Sequence, residues 1–246
     1  MRAQLSSELL KLRSTRTAAG LLGALLGLVV TAVVLHGYGV PSANLETPSG
    51  QLTFLVGWGE VLGSLFAGLL GAMSFTEEVR HGTIRPTLLV TPRRGRVIAA
   101  KGLAAMLAGL VFGLVAASVA AVTGRVTLAA RGLDVTLDGG DYVLLIAGGA
   151  AAAAMWAVIG LGIGATIRSQ VPAIVGILAW VLFVEGMLVD NVPSLGRFGP
   201  GALGQSLSGL HPDTLLAPSI SAALLALYAL GALAAGSAMT IRRDVV

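Results

Sequence analysis

Two carboxylates sit where charge is costly. Glu60 lies in "GWGEVLGSL" and Glu185 in "LFVEGML", each inside a long apolar run. A charge at the centre of a bilayer costs roughly 2.5–3.5 kcal/mol on insertion scales, so an acid held there needs a partner or a wet path. Glu60 falls about eight residues into its run, roughly 12 Å at 1.5 Å per residue. Gly59 and Gly63 beside it form a small-xxx-small face suited to close helix contact. Glu185 is five residues from Asp190, within reach of a headgroup layer. Such acids contact a passing solute, carry a proton, or make one buried hydrogen bond. For Glu185 an interfacial position is the simplest reading.

A second concentration of chemistry is "SFTEEVRHGTIRPTLLVTPRRGRVIAAK", residues 74 to 101, which holds two acids and six of the sixteen Lys and Arg. Glu77 stands three residues before Arg80 and four before His81, the spacing of pairs along one helix face. Gly82 is a natural helix stop. Thr83 and Pro86 suggest a short helix start, and Thr91 with Pro92 a second one. The segment thus reads as helix end, short crosswise helix, then new helix. Its apolar ridge of Ile84, Leu88 and Leu89 between charged ends suits docking into a groove on a soluble partner. The alternative is a solvated basic loop, which explains the bases but not the paired glutamates, the Gly-Thr break or the ridge.

Other chemistry is missing from the sequence. GxxxxGK[ST], HExxH and GxSxG do not occur. There is no cysteine, and His36, His81 and His211 fall in separate segments, so no metal site is expected.

The elements that must position these residues are set by composition. The chain of 246 residues is 55% hydrophobic and 11% charged, against about 25% charged in soluble chains. Mean hydropathy is +0.88. The fold class is an all-α polytopic membrane protein forming one transmembrane domain over 1–246. About 20 apolar residues cross a bilayer, and six segments qualify: 18–36, 52–75, 98–123, 142–167, 171–189 and 219–240. All Lys and Arg except Arg125, Arg131 and Arg197 fall on one side of this arrangement. The positive-inside rule then places both termini, and the 76–101 connection, in the cytoplasm of a cell whose inner or plasma membrane holds the chain. The bases flank apolar spans, so they mark orientation in the lipid bilayer rather than a nucleic-acid partner. Residues 1–17 read as an amphipathic helix on the inner leaflet, not a cleaved leader, with Leu5, Leu9 and Leu12 on one face and Lys11, Arg13 and Arg16 reaching lipid phosphates. Residues 190–218 are expected to form one or two short helices in the outer interface. Gly pairs four apart at 23/27, 109/113 and 160/164 serve packing, within one bundle or between copies.

"EEVRHGTIRPTLLVTPRRGRVIAAK" resembles the corresponding loop of the type-2 family of ABC transporter permeases. Its pattern of an acid, Gly-Thr, a Leu-rich turn, Pro-Arg and a Lys opening the next span is carried by Glu77 or Glu78, Gly82-Thr83, Leu88-Leu89, Pro92-Arg93 and Lys101. "SELLKLRSTRT" is similar to the family's lead-in, and six spans match it over the whole chain. Arg85-Pro86 departs from the commonest turn. The resemblance implies the membrane subunit of an exporter, paired with a second permease copy (the same chain or a paralogue) and two separate cytoplasmic ATPase subunits. ATP and Mg would bind those subunits; no cofactor is expected in this chain, and it is not an enzyme. Glu77, Glu78, Arg80, Gly82, Thr83 and Arg85 become the candidates for ATPase docking through a coupling helix. Glu60 and Glu185 become the candidates for the translocation path, since the second and fifth spans of the family tend to line it. Cargo does not carry over, though short outside loops and an apolar bundle lean towards a small amphiphilic compound: drug, peptide or lipid. Two readings remain beside it: a proton-coupled secondary transporter using Glu60, and a non-transporting scaffold.

Overall fold

The structure is a computed structural model that describes residues 2–83, 94–210 and 214–242. Its described elements are helical, with no strand among them. They are α1 (Arg2–Ser14), α2 (Arg16–Gly39), a 3-10 turn (Ser42–Leu45), α3 (Pro48–Arg80), α4 (Arg94–Ala130), α5 (Gly139–Ile167), α6 (Gln170–Ala179), a π turn (Trp180–Val184), α7 (Glu185–Asn191), α8 (Pro193–Gly196), α9 (Pro200–Leu207) and α10 (Pro218–Arg242). α6, the π turn and α7 run on as one span, Gln170–Asn191, which with α2, α3, α4, α5 and α10 makes six helices long and apolar enough to cross a membrane. Each expected span lies within one of these. The crosswise helix expected after Gly82, with Ile84, Arg85, Leu88 and Leu89, lies outside the described residues. So does His211.

Local signals set the helix ends. The Thr47 hydroxyl accepts from the Gly50 N–H at 3.1 Å and Pro48 opens α3. Asp138 and Asp141 form a reciprocal capping box at 2.9 and 3.0 Å, starting α5. α3 ends as the sequence suggests: Gly82 takes φ +69°, which a glycine adopts at no steric cost, and the Thr83 N–H returns to the Glu78 carbonyl at 2.9 Å. The 33 residues of α3 span about 50 Å at 1.5 Å per residue, well beyond an apolar layer of about 30 Å. The excess stands clear at the end carrying Glu77, Glu78 and Arg80.

α3 and α5 form the buried centre, and α2, α6–α7 and α10 lie around them. Close approach between the central helices rests on small residues. A Cβ at Gly160 would run into the Gly68 carbonyl, one at Gly71 into Ala157, and one at Gly164 into Ala72. Gly59 and Gly63 pack instead on Ala116, Ala117 and Ala120 of α4, and Gly109 and Gly113 of α4 on α5. Two of the three expected Gly pairs are therefore internal. Gly23 and Gly27 of α2 face open space. At the end opposite Arg80, buried Gln51 donates to the Leu45 and Asp134 carbonyls at 2.8 and 2.7 Å and accepts from the Thr136 N–H at 3.0 Å, tying two of the connections at that end to α3.

Overpacking of this kind costs about 1–3 kcal/mol. Gly160→Val should therefore lower the midpoint of thermal unfolding in detergent and reduce the monodisperse fraction. Gly176→Val, at a position with nothing within 4 Å, should leave both near wild type. Equal behaviour of the two variants would show that the α3–α5 contact is not set by glycine.

Candidate functional sites at the two ends of α3

At the basic end of the bundle the charges close into a ring. Lys101 of α4 donates to Glu8 at 2.6 Å and to Glu78 at 2.7 Å; Lys11 donates to Glu8 at 2.7 Å and to Glu78 at 2.9 Å. Two Glu and two Lys alternate, so the ring is neutral, and it joins α1, α3 and α4. The Lys101 side chain is 2% exposed and that of Lys11 43%. Burying ions is tolerated only when every charge is answered at good geometry, which four contacts under 3 Å supply. Burial by itself pushes the Glu8 carboxyl up, but the Lys101 ammonium and the bonds from both lysines outweigh it and hold Glu8 below its ordinary range. Burial likewise pulls Lys11 down, and its bonds to Glu8 and Glu78 more than compensate, leaving it raised.

The docking candidates separate accordingly. Glu78 is buried within the ring rather than presented to solvent. The Glu77 carboxylate accepts from the Thr17 hydroxyl at 3.1 Å; it does not pair with Arg80 or His81, because Arg80 reaches across to Gln170 of α6 at 3.4 Å and the His81 ring lies on the Glu77 carbonyl at 2.8 Å. Arg80, Gly82 and Thr83 are exposed at the tip of α3, and Arg85 is outside the described residues. Lys11, expected on lipid phosphates, is turned inward to Glu8 and Glu78. Glu8 is a site residue that the sequence does not single out. Its one signal is the three-residue spacing to Lys11.

At the other end α3 meets the second pair of acids. Glu60 is 1% exposed and its Oε1 accepts from the Ser64 hydroxyl at 2.7 Å. It lies against α9, where a Cβ at Gly204 would strike Oε1, and its Oε2 has no hydrogen-bond partner among the described residues. Glu185 is enclosed by its neighbours. It is 5% exposed and caps α9: its Oε1 accepts from the Gly201 and Ala202 N–H groups at 2.6 and 3.0 Å, and its Oε2 from the Trp180 indole at 3.1 Å. A carboxylate at a helix N-terminus answers unpaired amides and the positive end of the helix dipole. Glu60 and Glu185 both touch α9. In sequence they stand 125 residues apart; their shared neighbour is what joins them.

A family model described as ABC-2 family transporter protein matches residues 4–186. No curated protein matches the chain. The match covers most of the chain, from α1 into α7, including the ring and both buried acids. The chain belongs to the ABC-2 family of transporter membrane proteins, and is a permease-type, multi-pass component.

Breaking one partner of a buried pair costs about 3–5 kcal/mol. Lys101→Met should therefore unfold at markedly lower temperature and release α1, read as faster proteolysis near Leu10. Glu78→Gln with Lys101→Met leaves the Glu8–Lys11 pair and should cost less than Lys101→Met alone. A single variant no worse than Lys11→Met would remove the ring as the tie.

The pH dependence has two limits. Glu8 is depressed, so its contribution is present above the ordinary carboxylate value of 4.5 and is lost as pH falls through its lower folded value. Lys11 is raised, so its contribution holds below the ordinary value of 10.5 and is lost as pH rises through its higher folded value. Protection of α1 from protease should stay level across neutral pH and fail only beyond these limits; a midpoint near pH 7 would contradict the assignment.

Proposed function

We propose that this permease works as one of two copies in an exporter, driven by two separate ATPase subunits that bind its basic end on the cytoplasmic side, and moves a small amphiphilic compound outward. The observation that carries the reading is the ring. It ties α1, α3 and α4 together at the two roots of the 81–93 connection, so a force applied to that connection is passed to three helices rather than dissipated in a loose loop. Membership of the ABC-2 family supports a driven transporter over a scaffold. The excess of Lys and Arg at that end supports a cytoplasmic position.

In this reading Glu77, Arg80, Gly82, Thr83 and Arg85 offer the docking contact, while Glu78 acts through the ring as a positioning residue. ATP and Mg bind the partner subunits, whose closure pushes on the connection and tilts α3 and α4. Glu60 and Glu185 face the path. The second copy has an open helix face at Gly23 and Gly27 of α2, with no internal neighbour and of the type that brings membrane helices close. Buried Glu60, with one unpartnered oxygen, favours a second reading, proton-coupled transport by this chain without an ATPase.

Purification of the tagged chain in mild detergent, followed by mass spectrometry, separates the two. A soluble ATPase is expected at equal stoichiometry. Glu77→Arg with Arg80→Glu should weaken its recovery about tenfold while the permease stays folded. A folded chain recovered alone would leave the proton-coupled reading in its place.

A further inference from the structure

A cavity of about 250 Å³ lies where α3, α5, the fifth span and α9 meet. Glu185 and Asp190 line it, together with Ser64, Trp156 and Gln205. Glu60 is hydrogen bonded to the lining residue Ser64 without itself lining the cavity. No Lys, Arg or His is among the lining residues, and neither Glu185 nor Asp190 has an ion-pair partner among the described residues. Two carboxylates thus line the cavity with no cation of the described chain to answer them.

One further atom defines what the cavity lacks. Trp156 is 2% exposed, and its Nε1 has no hydrogen-bond partner among the described residues. An indole N–H can only donate, and buried polar atoms left in this state are uncommon. A group that answers it must offer an acceptor oxygen, and the two carboxylates lining the cavity ask for a cation beside that oxygen. Gln205 and the Ser64 oxygen add further polar contacts.

Size limits the ligand. The cavity is smaller than the roughly 300–1,000 Å³ of sites that enclose a whole drug-sized molecule, so it takes a head group. Asp190 and Gly186 are exposed at its mouth. Leu182 and Met187, next in the chain to the lining residues Val181 and Gly186, are exposed and apolar, as is Phe183.

We propose that this cavity binds the head group of an amphiphile bearing an ammonium next to a hydroxyl or carbonyl oxygen. The ammonium lies between Glu185 and Asp190, and the oxygen accepts from Trp156. The inference deepens, and rests on, the reading of Glu60 and Glu185 as path residues.

The test uses the full chain in lipid nanodiscs, with fluorescence of its tryptophans, two of which (Trp156 and Trp180) stand at this site. The probes are 1-amino-2-decanol and its neutral counterpart 2-decanol. The amino alcohol should quench saturably, with a Kd at least about tenfold below that of the alcohol. Trp156→Phe should weaken both probes, since both carry the hydroxyl to which its indole donates. Asp190→Asn, at the exposed mouth, should cut the preference for the amine without threatening the fold. Equal Kd values for the two probes on the native chain, a preference unchanged in Asp190→Asn, or binding of both probes unchanged in Trp156→Phe would overturn the proposal. Preference in a chain that recruits no ATPase would support the cavity and overturn the exporter; an ATPase partner without preference would do the reverse.

Discussion

The rest of the molecule depends on how closely α3 and α5 approach. In a bilayer the tails of the lipid are as apolar as leucine, so helices gain little by hiding side chains from lipid and associate by contact and hydrogen bonding instead. Here contact is made by removing side chains. Gly71, Gly160 and Gly164 bring backbone against backbone over successive turns, and Gly68 accepts the Trp156 ring at the same seam. With α3 fixed on α5, α4 closes over both through Gly59, Gly63, Gly109 and Gly113. The three helices form a solid wedge, and the outer helices have a fixed surface on which to lie.

That wedge makes α3 a rod with a charged device at each end. Glu78 and Glu60 are eighteen residues apart on one unbroken helix, about 27 Å at 1.5 Å per residue. At one end Glu78 is locked to α1 and α4 by two lysines. At the other Glu60 presses on Gly204 of α9, whose first turn Glu185 caps. Interiors packed this closely are hard to compress and transmit strain, and both charged devices sit on the same helix.

The helices were legible because a span needs a long apolar run and little else; Glu60 and Glu185 did not interrupt the runs that hold them. Helix ends were legible where one residue decides them, as at Gly82 and Pro48. The pairings were not, because each depends on where a distant segment arrives. Glu8 and Lys101 are ninety-three residues apart, and nothing local to either names the other. Glu77 and Arg80 looked like partners on helical spacing alone, yet both found better-placed groups on α2 and α6. The same limit applied to Glu185. Its nearness to Asp190 suggested a wet interface, whereas the fold lays α9 over it and turns the carboxylate into a cap.

The position of that cap depends on an irregularity in the fifth span. Between Trp180 and Val184 the helix widens into a π turn, closed by the Glu185 N–H on the Trp180 carbonyl. A π turn adds a residue to the helical repeat and rotates the residues beyond it, and such turns recur at functional positions. Trp180 and Glu185 are brought close enough for the indole to bond the carboxylate, a contact that the regular i, i+3 and i, i+4 neighbours of an α-helix do not provide at a spacing of five. With one oxygen held by its own span, Glu185 has the other free for the amides of α9. A return to regular α-helix through 180–184 would rotate Glu185 away from those amides and uncap α9. Because α9 also carries Gly204, the same change would alter the wall against Glu60. The two buried acids are therefore joined by a short helix whose seating depends on a turn of the neighbouring span.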